Sequence, residues 1–286
     1  GGRAGYYTKD QYREIAAYAQ RRAMILVPEI DLPGHTNAAL AAYPELNRDG
    51  IAPEPYRGIQ VGFSTLAVEK EITYQFVRDV LGELAELTPG PYLHVGGDEA
   101  HSTTLEEYKL FLERVHTIVA ETGKTLVGWD EIIQAGLEPT DLVQIWRRET
   151  KAQAAAGRGA KLIMSPCHHI YLDMKYNPET VLGQDWAALI EVKDAYGWDP
   201  VTVYPGLAEE DILGVEAPLW AETLRTIKDV EYMLFPRILG VAEIGWSPRE
   251  GRSWEEYRQR LAAHEPRLEV QGVHFYRSPQ VPWKGR

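Results

Sequence analysis

Six short apolar runs, each followed by polar or aromatic residues, alternate with segments of helical periodicity along the 286-residue chain. In chain order the runs lie within MILVPEI, YLHV, TLVGW, LVQIW, KLIM and GVEAPLW. Continuous apolar runs separated by helices are typical of a parallel sheet that is covered on both faces. The pattern predicts an α/β fold of the (β/α)8 TIM-barrel type, in which all strand ends meet at one rim.

A closed barrel of this type has eight strands, and we expect about six of its eight β/α units in this chain. The chain opens on a Gly-rich loop and a helix whose start is marked by a capping box of Thr8 and Gln11. The absent pair of strands is therefore expected ahead of Gly1. No linker or repeat indicates a second domain, so residues 1–286 are predicted to form a single, N-terminally incomplete barrel domain. Self-association could cover its open edges.

Apolar spacing predicts the helices. The segment EKEITYQFVRDVLGELAEL should place one apolar face inward, formed by Ile72, Phe76, Val80 and Leu84. A second helix, from about 105 to 121, should bury Tyr108, Phe111, Leu112, Val115 and Val119. One further helix is expected over DVEYMLFPRILGVAEIGWS. Residues 38–65 show little periodicity and are rich in Pro, Gly and Asn, so a long functional loop is expected there.

Composition excludes several classes of partner. A net charge of -12 and a pI near 5.2 disfavour nucleic acid, because few cations could replace the counterions of its phosphates. No run of about 18 apolar residues is present, so we expect no membrane span. The single cysteine, Cys167, excludes an internal disulfide and a cysteine-built metal site.

The aromatic composition favours one class of ligand. The 8 Trp and 16 Tyr, against 5 Phe, suit a wet stacking surface such as a sugar-binding cleft.

The stretch YLHVGGDEA is an apolar run that ends in two glycines and two acids, Asp98 and Glu99. Neighbours on a strand point to opposite faces, so both acids can reach one cavity only if Gly96 and Gly97 break the strand. Burial beside another carboxylate raises the pKa of an acid, which can then act as a general acid while its neighbour stays ionised. An arbitrary Asp-Glu pair more often lies at a helix N-terminus, but the preceding strand and glycines favour catalysis.

HVGGDEA resembles the H-x-G-G-D-E signature of glycoside hydrolase family 20, the β-N-acetylhexosaminidases. Further segments are similar to strand ends of that family in the same order: VPEIDLPGHTNAAL, VGWDE, VQIW, YLDMKY, APLWAETL and FPRILGVAEIGWS. The resemblance covers nearly the whole chain. It implies exo-acting hydrolysis of terminal non-reducing β-linked N-acetyl-D-hexosamine, a glycan or smaller substrate, no cofactor and no metal. It also implies a secreted or extracellular bacterial protein whose signal peptide lies upstream.

The resemblance further implies a substrate-assisted retaining mechanism. The 2-acetamido oxygen of the substrate attacks the anomeric carbon and forms an oxazolinium ion. Glu99 protonates the leaving oxygen and later deprotonates the incoming water, while Asp98 holds the acetamido N–H and stabilises the positive charge. His35, in DLPGHTN, resembles the histidine that supports this pair.

The resemblance also assigns a substrate-binding set. The acetamido group is expected to be enclosed by three strand-end tryptophans, Trp129, Trp146 and Trp220. Tyr171 would donate its hydroxyl hydrogen to the acetamido carbonyl, and Asp173 and Glu222 would accept hydrogen bonds from the sugar hydroxyls O4 and O6. Taken singly, a strand-end tryptophan is more often a core residue, and an isolated acid is more often a solvated surface charge.

Other interpretations remain open. His35 with Glu29 and Asp31 could form the site of a metal-dependent hydrolase, although no second histidine falls at a matching strand end. The first-strand arginine by which the family grips the sugar has no counterpart here, which leaves a non-catalytic sugar-binding fragment as an alternative. A lacto-N-biosidase-type specificity is a third. We expect His94 to be a core histidine, and His168 and His169 to lie in a loop.

Overall fold

The computed structural model describes residues 5–285, which fall into two compact units. Unit 1 comprises residues 5–144 and 157–161, and unit 2 comprises residues 145–156 and 162–285. The region ahead of Gly1, where the absent strands are expected, lies outside the described residues, and the single-domain assignment stays a prediction. Between residues 5 and 285, no helix is both long enough and apolar enough to cross a bilayer.

Unit 1 contains a parallel sheet in which β2 pairs with both β1 and β3. The register aligns Leu93 with Leu126 and Gly128 with Val143. Buried aliphatic side chains on these strands form the core under the helices. The elements are α1 (Lys9–Gln20), α2 (Asn37–Ala42), α3 (Glu71–Leu87), β1 (Tyr92–His94), α4 (Leu105–Glu121), β2 (Thr125–Trp129) and β3 (Leu142–Ile145).

The first predicted strand, residues 24–30, forms only an isolated parallel bridge between Glu29 and His94. The Ile30 N–H donates to the His94 carbonyl, and the His94 N–H donates to the Pro28 carbonyl. Pro28 has no N–H of its own, so a regular ladder cannot continue through it. The expectation of six strands was therefore wrong: the described residues contain five.

The helices of unit 1 confirm most of their predicted features. Both hydrogen bonds of the Thr8 capping box are present at α1, and α4 has its predicted bounds and buries all of its predicted residues. The predicted face of α3 was wrong, because Ile72 is exposed and the buried residues are Thr73, Tyr74, Val77 and Leu81. Both sets fit helical spacing. Packing of the Tyr74 ring on Phe111, and its hydroxyl hydrogen bond to the Val68 carbonyl, decides between them.

The long segment 38–65 is less irregular than predicted. It contains most of α2 and a 3-10 turn at Pro44–Leu46, and the remainder is loop. Leu40 and Leu46 are buried and attach the segment to the core of unit 1.

Unit 2 combines the parallel pair β4 and β5 with seven helices in its described residues. The predicted helix after the last strand divides at Pro236, which has no N–H to continue the first of the two helices. His168 and His169, expected in a loop, form a helical turn. The elements are α5 (Ala152–Ala156), β4 (Lys161–Met164), α6 (Cys167–Ile170), α7 (Val192–Tyr196), β5 (Ile212–Val215), α8 (Ile227–Leu234), α9 (Arg237–Trp246), α10 (Trp254–Ala263) and α11 (Glu265–Val270).

Candidate active site

In unit 1 the extended backbone ends just after β1, as the glycines predict. Gly96 has φ +68° and Gly97 has φ +99°, values that side-chain-bearing residues rarely adopt. A Cβ atom on Gly96 would overlap Oδ1 of Asp31, so only glycine allows the Asp31 carboxyl to approach this closely. The Gly97 N–H donates to the same oxygen at 3.2 Å. The strand therefore ends so that Asp98 lies beside Asp31.

Two residues of this region carry unfavourable backbone conformations. Glu99 has φ +49° and His35 has φ +55°, both in the left-handed region that disfavours residues with a Cβ atom. Such conformations cost about 1–3 kcal/mol each and are retained only where the surrounding structure enforces them. Their presence at two predicted catalytic residues supports a functional role for this segment.

His35 joins the two acids of the motif. Its Nε2 lies 3.3 Å from Oδ2 of Asp98 and 3.2 Å from Oε2 of Glu99, and 4.0 Å from Oδ2 of Asp31. The structure thus brings together the three predicted catalytic residues. Hydrogen bonds to Asp98 and then Glu99 raise the pKa of His35 to about 10, although burial opposes this change. The imidazole is therefore positively charged at neutral pH.

Asp31 is the member of this cluster that the predicted catalytic set omitted. Burial, followed by the negative charge of Asp98, raises the pKa of Asp31 to about 10. Burial also acts to raise the pKa of Asp98, but hydrogen bonds to His35 and Asp31 outweigh it, so that pKa is lowered. Asp31 therefore holds a proton next to an ionised Asp98. The sequence had indicated Asp31 only as a possible metal ligand, with Glu29 and His35.

His94 and Trp129 pack beside this cluster in unit 1. The Gly96 N–H donates to Nδ1 of His94 at 3.1 Å, and burial lowers the pKa of His94 to about 4. His94 is thus a neutral core histidine, as predicted. Trp129 is 2% exposed, and its Nε1 donates to Oε1 of Glu29 at 2.9 Å. The Trp129 ring meets the His94 ring edge-on at 5.3 Å.

One group of side chains in unit 1 has the spacing of metal ligands. Atoms of Asp31, His35 and Asp98 all lie within 4.8 Å of one another. A metal ion would require a neutral imidazole and ionised carboxylates. The hydrogen bonds of the cluster instead favour a protonated His35 and a protonated Asp31. The same three side chains could therefore share protons or hold a cation, and removal of metal by a chelator distinguishes the two.

Unit 2 carries an aromatic cluster. Trp146 follows β3 directly, and its ring is stacked on the Tyr171 ring with centroids 6.2 Å apart and planes at 18°. The Trp220 ring, beyond β5, lies 6.4 Å from that of Tyr171. Trp186 was missed by the sequence analysis: it is 53% exposed and meets Trp146 and Tyr171 edge-on at 6.1 and 5.9 Å. A lone loop tryptophan in QDWAAL offered no periodic signal.

Asp173 and Glu222 are near enough in unit 2 to interact electrostatically. Asp173 is 1% exposed, and neither of its carboxylate oxygens makes a well-formed hydrogen bond to a described group. Burial raises the pKa of Asp173 to about 6, and the charge of the exposed Glu222 adds to the increase. Buried polar atoms are normally hydrogen-bonded, so this carboxyl is suited to accept hydrogen bonds from a ligand.

Arg237 fixes the segment that carries Tyr171 and Asp173. This arginine is fully buried, and its guanidinium lies 3.8 Å from the centroid of the Tyr176 ring. It donates hydrogen bonds of 2.6–3.3 Å to four backbone carbonyls, those of Leu172, Met174, Ile190 and Met233. The sequence did not single out Arg237, because an arginine in FPRILG reads as an exposed helix residue.

Comparisons with known proteins bear on this arrangement. The family model described as "Glycosyl hydrolase family 20, catalytic domain" matches residues 2–109 and 102–249. The chain belongs to this family. It is 42% identical over 288 aligned residues to a β-N-acetylhexosaminidase of Cellulomonas fimi, covering 100% of this chain and 58% of that protein. The chain therefore spans less than two thirds of this family-20 relative.

Solved structures of family 20 proteins give the same result. The β-N-acetylhexosaminidase of Streptomyces coelicolor A3(2) superposes with a TM-score of 0.97 at 53% identity, covering 99% of this chain and 59% of that one. A mutant Streptomyces plicatus β-hexosaminidase in complex with its product GlcNAc has a TM-score of 0.96 at 53% identity, with coverage of 99% and 58%. These similarities confirm the predicted α/β class of the TIM-barrel type.

Proposed function

We propose that the family 20 protein represented by this chain hydrolyses terminal non-reducing β-linked N-acetyl-D-hexosamine from glycans or smaller substrates. The proposal depends above all on one observation in unit 1. Nε2 of His35 lies within 3.3 Å of a carboxylate oxygen of both Asp98 and Glu99. The C. fimi and S. coelicolor relatives are β-N-acetylhexosaminidases, which agrees with this substrate class.

Glu99 is proposed as the general acid and base. In its acid form it would protonate the glycosidic oxygen, and as a carboxylate it would later accept a proton from the attacking water. His35 donates toward this carboxylate and can stabilise its negative charge after proton transfer. A positioned acid of this kind contributes roughly 10²–10⁴ in rate.

Asp98 is proposed to hold the nucleophile, which belongs to the substrate. An ionised Asp98 can accept the acetamido N–H and stabilise the positive charge of the oxazolinium ion. Its lowered pKa supports this state, and the proton on Asp31 keeps a second negative charge out of the cluster. Because the acetamido oxygen attacks and water then attacks from the opposite side, the anomeric configuration is retained.

Binding roles are proposed for the remaining residues within each unit. In unit 2, Trp146 and Trp220 flank Tyr171, whose hydroxyl could donate to an acetamido carbonyl. Asp173 offers a buried acceptor for a sugar hydroxyl, and Glu222 offers an exposed one. In unit 1, Trp129 would contribute an apolar surface, supported by its hydrogen bond to Glu29.

The deciding experiment compares an aryl N-acetyl-β-glucosaminide with the matching aryl β-glucoside, which lacks the internal nucleophile. We expect measurable turnover of the acetamido substrate alone. Asp98→Asn should remove most of that preference, since it abolishes the charge that stabilises the oxazolinium ion. Equal turnover of both substrates, or inversion at the anomeric carbon by NMR, would refute the substrate-assisted mechanism.

Two controls separate the other interpretations. Dialysis against a chelator should leave turnover unchanged, whereas a metal-dependent hydrolase using Asp31, His35 and Asp98 would be inactivated. Saturable binding of N-acetylglucosamine without any turnover would instead indicate a sugar-binding protein. Release of a disaccharide rather than a monosaccharide from a β-linked glycan would indicate lacto-N-biosidase-type specificity.

A further inference from the structure

A cavity of about 500 Å³ lies within unit 2, and its lining residues have no role in the proposed hydrolysis. It is bordered by α6, by the residues that follow α7, and by the chain between α9 and α10. Its volume falls within the range of small-molecule sites. Its lining includes the charged, histidine and aromatic side chains of His168, His169, Asp199, Arg249, Arg252 and Trp254.

The cavity has an excess of positive charge. Arg252 is 10% exposed, and its Nη2 donates to Oδ2 of Asp199 at 2.6 Å. Nε of Arg249 lies 3.8 Å from the same oxygen. Asp199 therefore offsets only one of the two guanidinium groups, in a chain whose net charge is -12. The buried Nε–H of Arg252 has no acceptor among the described residues.

The histidines of α6 add neutral polar groups to the wall. Burial, and then the nearby charge of His169, lowers the pKa of His168 to about 4. Burial also lowers the pKa of His169, whose ring is stacked on Trp198 at 5.9 Å and 13°. Nδ1 of His168 is buried and makes no hydrogen bond within residues 5–285. Since buried polar atoms are normally paired, His168 and Arg252 both offer unused hydrogen-bonding capacity.

We propose that this cavity binds a sugar-sized molecule that carries a carboxylate, such as a hexuronic acid. The planar fork of a guanidinium matches the two oxygens of a carboxylate, and Arg249 is 61% exposed and free to turn toward a ligand. A neutral imidazole can donate a hydrogen bond to a sugar hydroxyl through its N–H and accept one through its other ring nitrogen. The half-buried Trp254 supplies an apolar surface for the sugar ring.

Isothermal titration calorimetry with the purified chain tests the assignment. We expect saturable binding of glucuronate with a Kd on the order of 1 mM and none of glucose at the same concentrations. Absence of glucuronate binding, or equal binding of glucose, would overturn the proposal. Tighter binding of inorganic phosphate than of glucuronate would overturn the choice of a carboxylate. No readout depends on hydrolysis, so failure here is distinct from failure of the proposed activity.

Substitutions in the cavity test whether glucuronate binds there. Arg249→Ala removes an exposed group and should weaken glucuronate binding at least about tenfold, the effect of one charge-assisted hydrogen bond. Arg258→Ala removes a guanidinium of α10 that does not line the cavity and should leave the Kd unchanged. Arg252→Gln should also weaken glucuronate binding. Because this side chain is buried, the thermal unfolding curve of the variant shows whether the fold is retained. A wild-type Kd in Arg249→Ala would refute the site.

Discussion

The buried ionisable groups of unit 1 contact one another, whereas the fully buried Arg237 of unit 2 contacts backbone carbonyl groups. In unit 1, Asp31, His35 and Asp98 perturb one another's pKa values strongly and in different directions. In unit 2, Arg237 satisfies its donors without an ion-pair partner among the described side chains and fixes a backbone segment. Coupled titratable groups suit proton transfer, whereas a buried cation held by carbonyls suits rigid support.

The surfaces that the two units offer to a ligand differ in the same way. Unit 1 offers a cluster of charges on a strained turn, at which a proton can move. Around Tyr171, apart from the charged cavity beside α6, unit 2 offers stacked aromatic rings and one buried carboxyl, Asp173, which suit the faces and hydroxyls of a sugar. The difference suggests that substitutions in unit 1 should act mainly on kcat and those in unit 2 mainly on binding and stability.

The largest expected effect tests the proton-transfer role of unit 1. Glu99→Gln should lower kcat/KM for an N-acetyl-β-glucosaminide with a poor leaving group by about 10²–10⁴, because the amide cannot protonate the glycosidic oxygen. The loss should shrink for a nitrophenyl leaving group, which needs less protonation. Glu106→Gln, an exposed change in the first turn of α4, is the matched control and should retain wild-type rates. A loss independent of the leaving group would contradict the role.

Removing the buried cation of unit 2 should act on stability. Arg237→Met removes the donor to the carbonyls of Leu172, Met174 and Ile190, whereas the Met233 carbonyl keeps a hydrogen bond from the Tyr176 hydroxyl. Each orphaned buried group costs about 1–3 kcal/mol. We expect the free energy of unfolding to fall by about 3 kcal/mol or more in urea titrations. Arg258→Met, on the surface of α10, should change it by less than about 0.5 kcal/mol. Similar values for both variants would show that Arg237 does not support unit 2.

Substitutions of Asp31 test whether the proton that it shares with Asp98 contributes to kcat/KM. Asp31→Ala removes the donor to Asp98 and should lower kcat/KM by about 10–100-fold, the equivalent of one hydrogen bond to a charged group. Asp31→Asn keeps an N–H donor and should lose less than about tenfold. In the wild type, activity should decline as the pH approaches about 10, where Asp31 and His35 lose their protons. Equal losses in both variants would indicate a packing role only.

The smallest effect concerns an ion pair of unit 1 outside the cluster. Nε2 of His116 lies 2.8 Å from Oδ1 of the buried Asp141, and this hydrogen bond raises the pKa of His116 above its ordinary value of 6.5. A raised histidine pKa stabilises the fold below the unfolded pKa, and the stabilisation disappears as the pH rises through the folded pKa. The change should be below about 1 kcal/mol, because the imidazole is partly exposed. Urea titrations at pH 6 and pH 9 would measure it.

His116→Gln serves as the control for that measurement. Glutamine keeps a donor for Asp141 but does not titrate, so the difference in unfolding free energy between the two pH values should decrease. An unchanged pH dependence in His116→Gln would assign the titration to another group.

The sequence predicted those features that depend on local chemistry. The capping box of Thr8, the bounds and buried face of α4, and the strand break at Gly96 all follow from hydrogen bonding and sterics within a few residues. The motif residues Asp98, Glu99 and His35 were predicted by resemblance, and the structure brings them within hydrogen-bonding distance. Their roles, and those of the predicted substrate-binding residues, stay predictions.

Tertiary structure decided what depends on distant neighbours. Two stripes of α3 fit helical spacing equally, and only packing of Tyr74 on Phe111 selects the buried one. The strand predicted over residues 24–30 pairs with β1 through only one bridge. Pro28 has no N–H with which to extend the pairing. The proton on Asp31 depends on desolvation and on the charge of Asp98, which is remote in sequence. The burial of Arg237 depends on carbonyl acceptors from distant segments. Local patterns specify backbone geometry, whereas pKa values and burial are properties of the assembled fold.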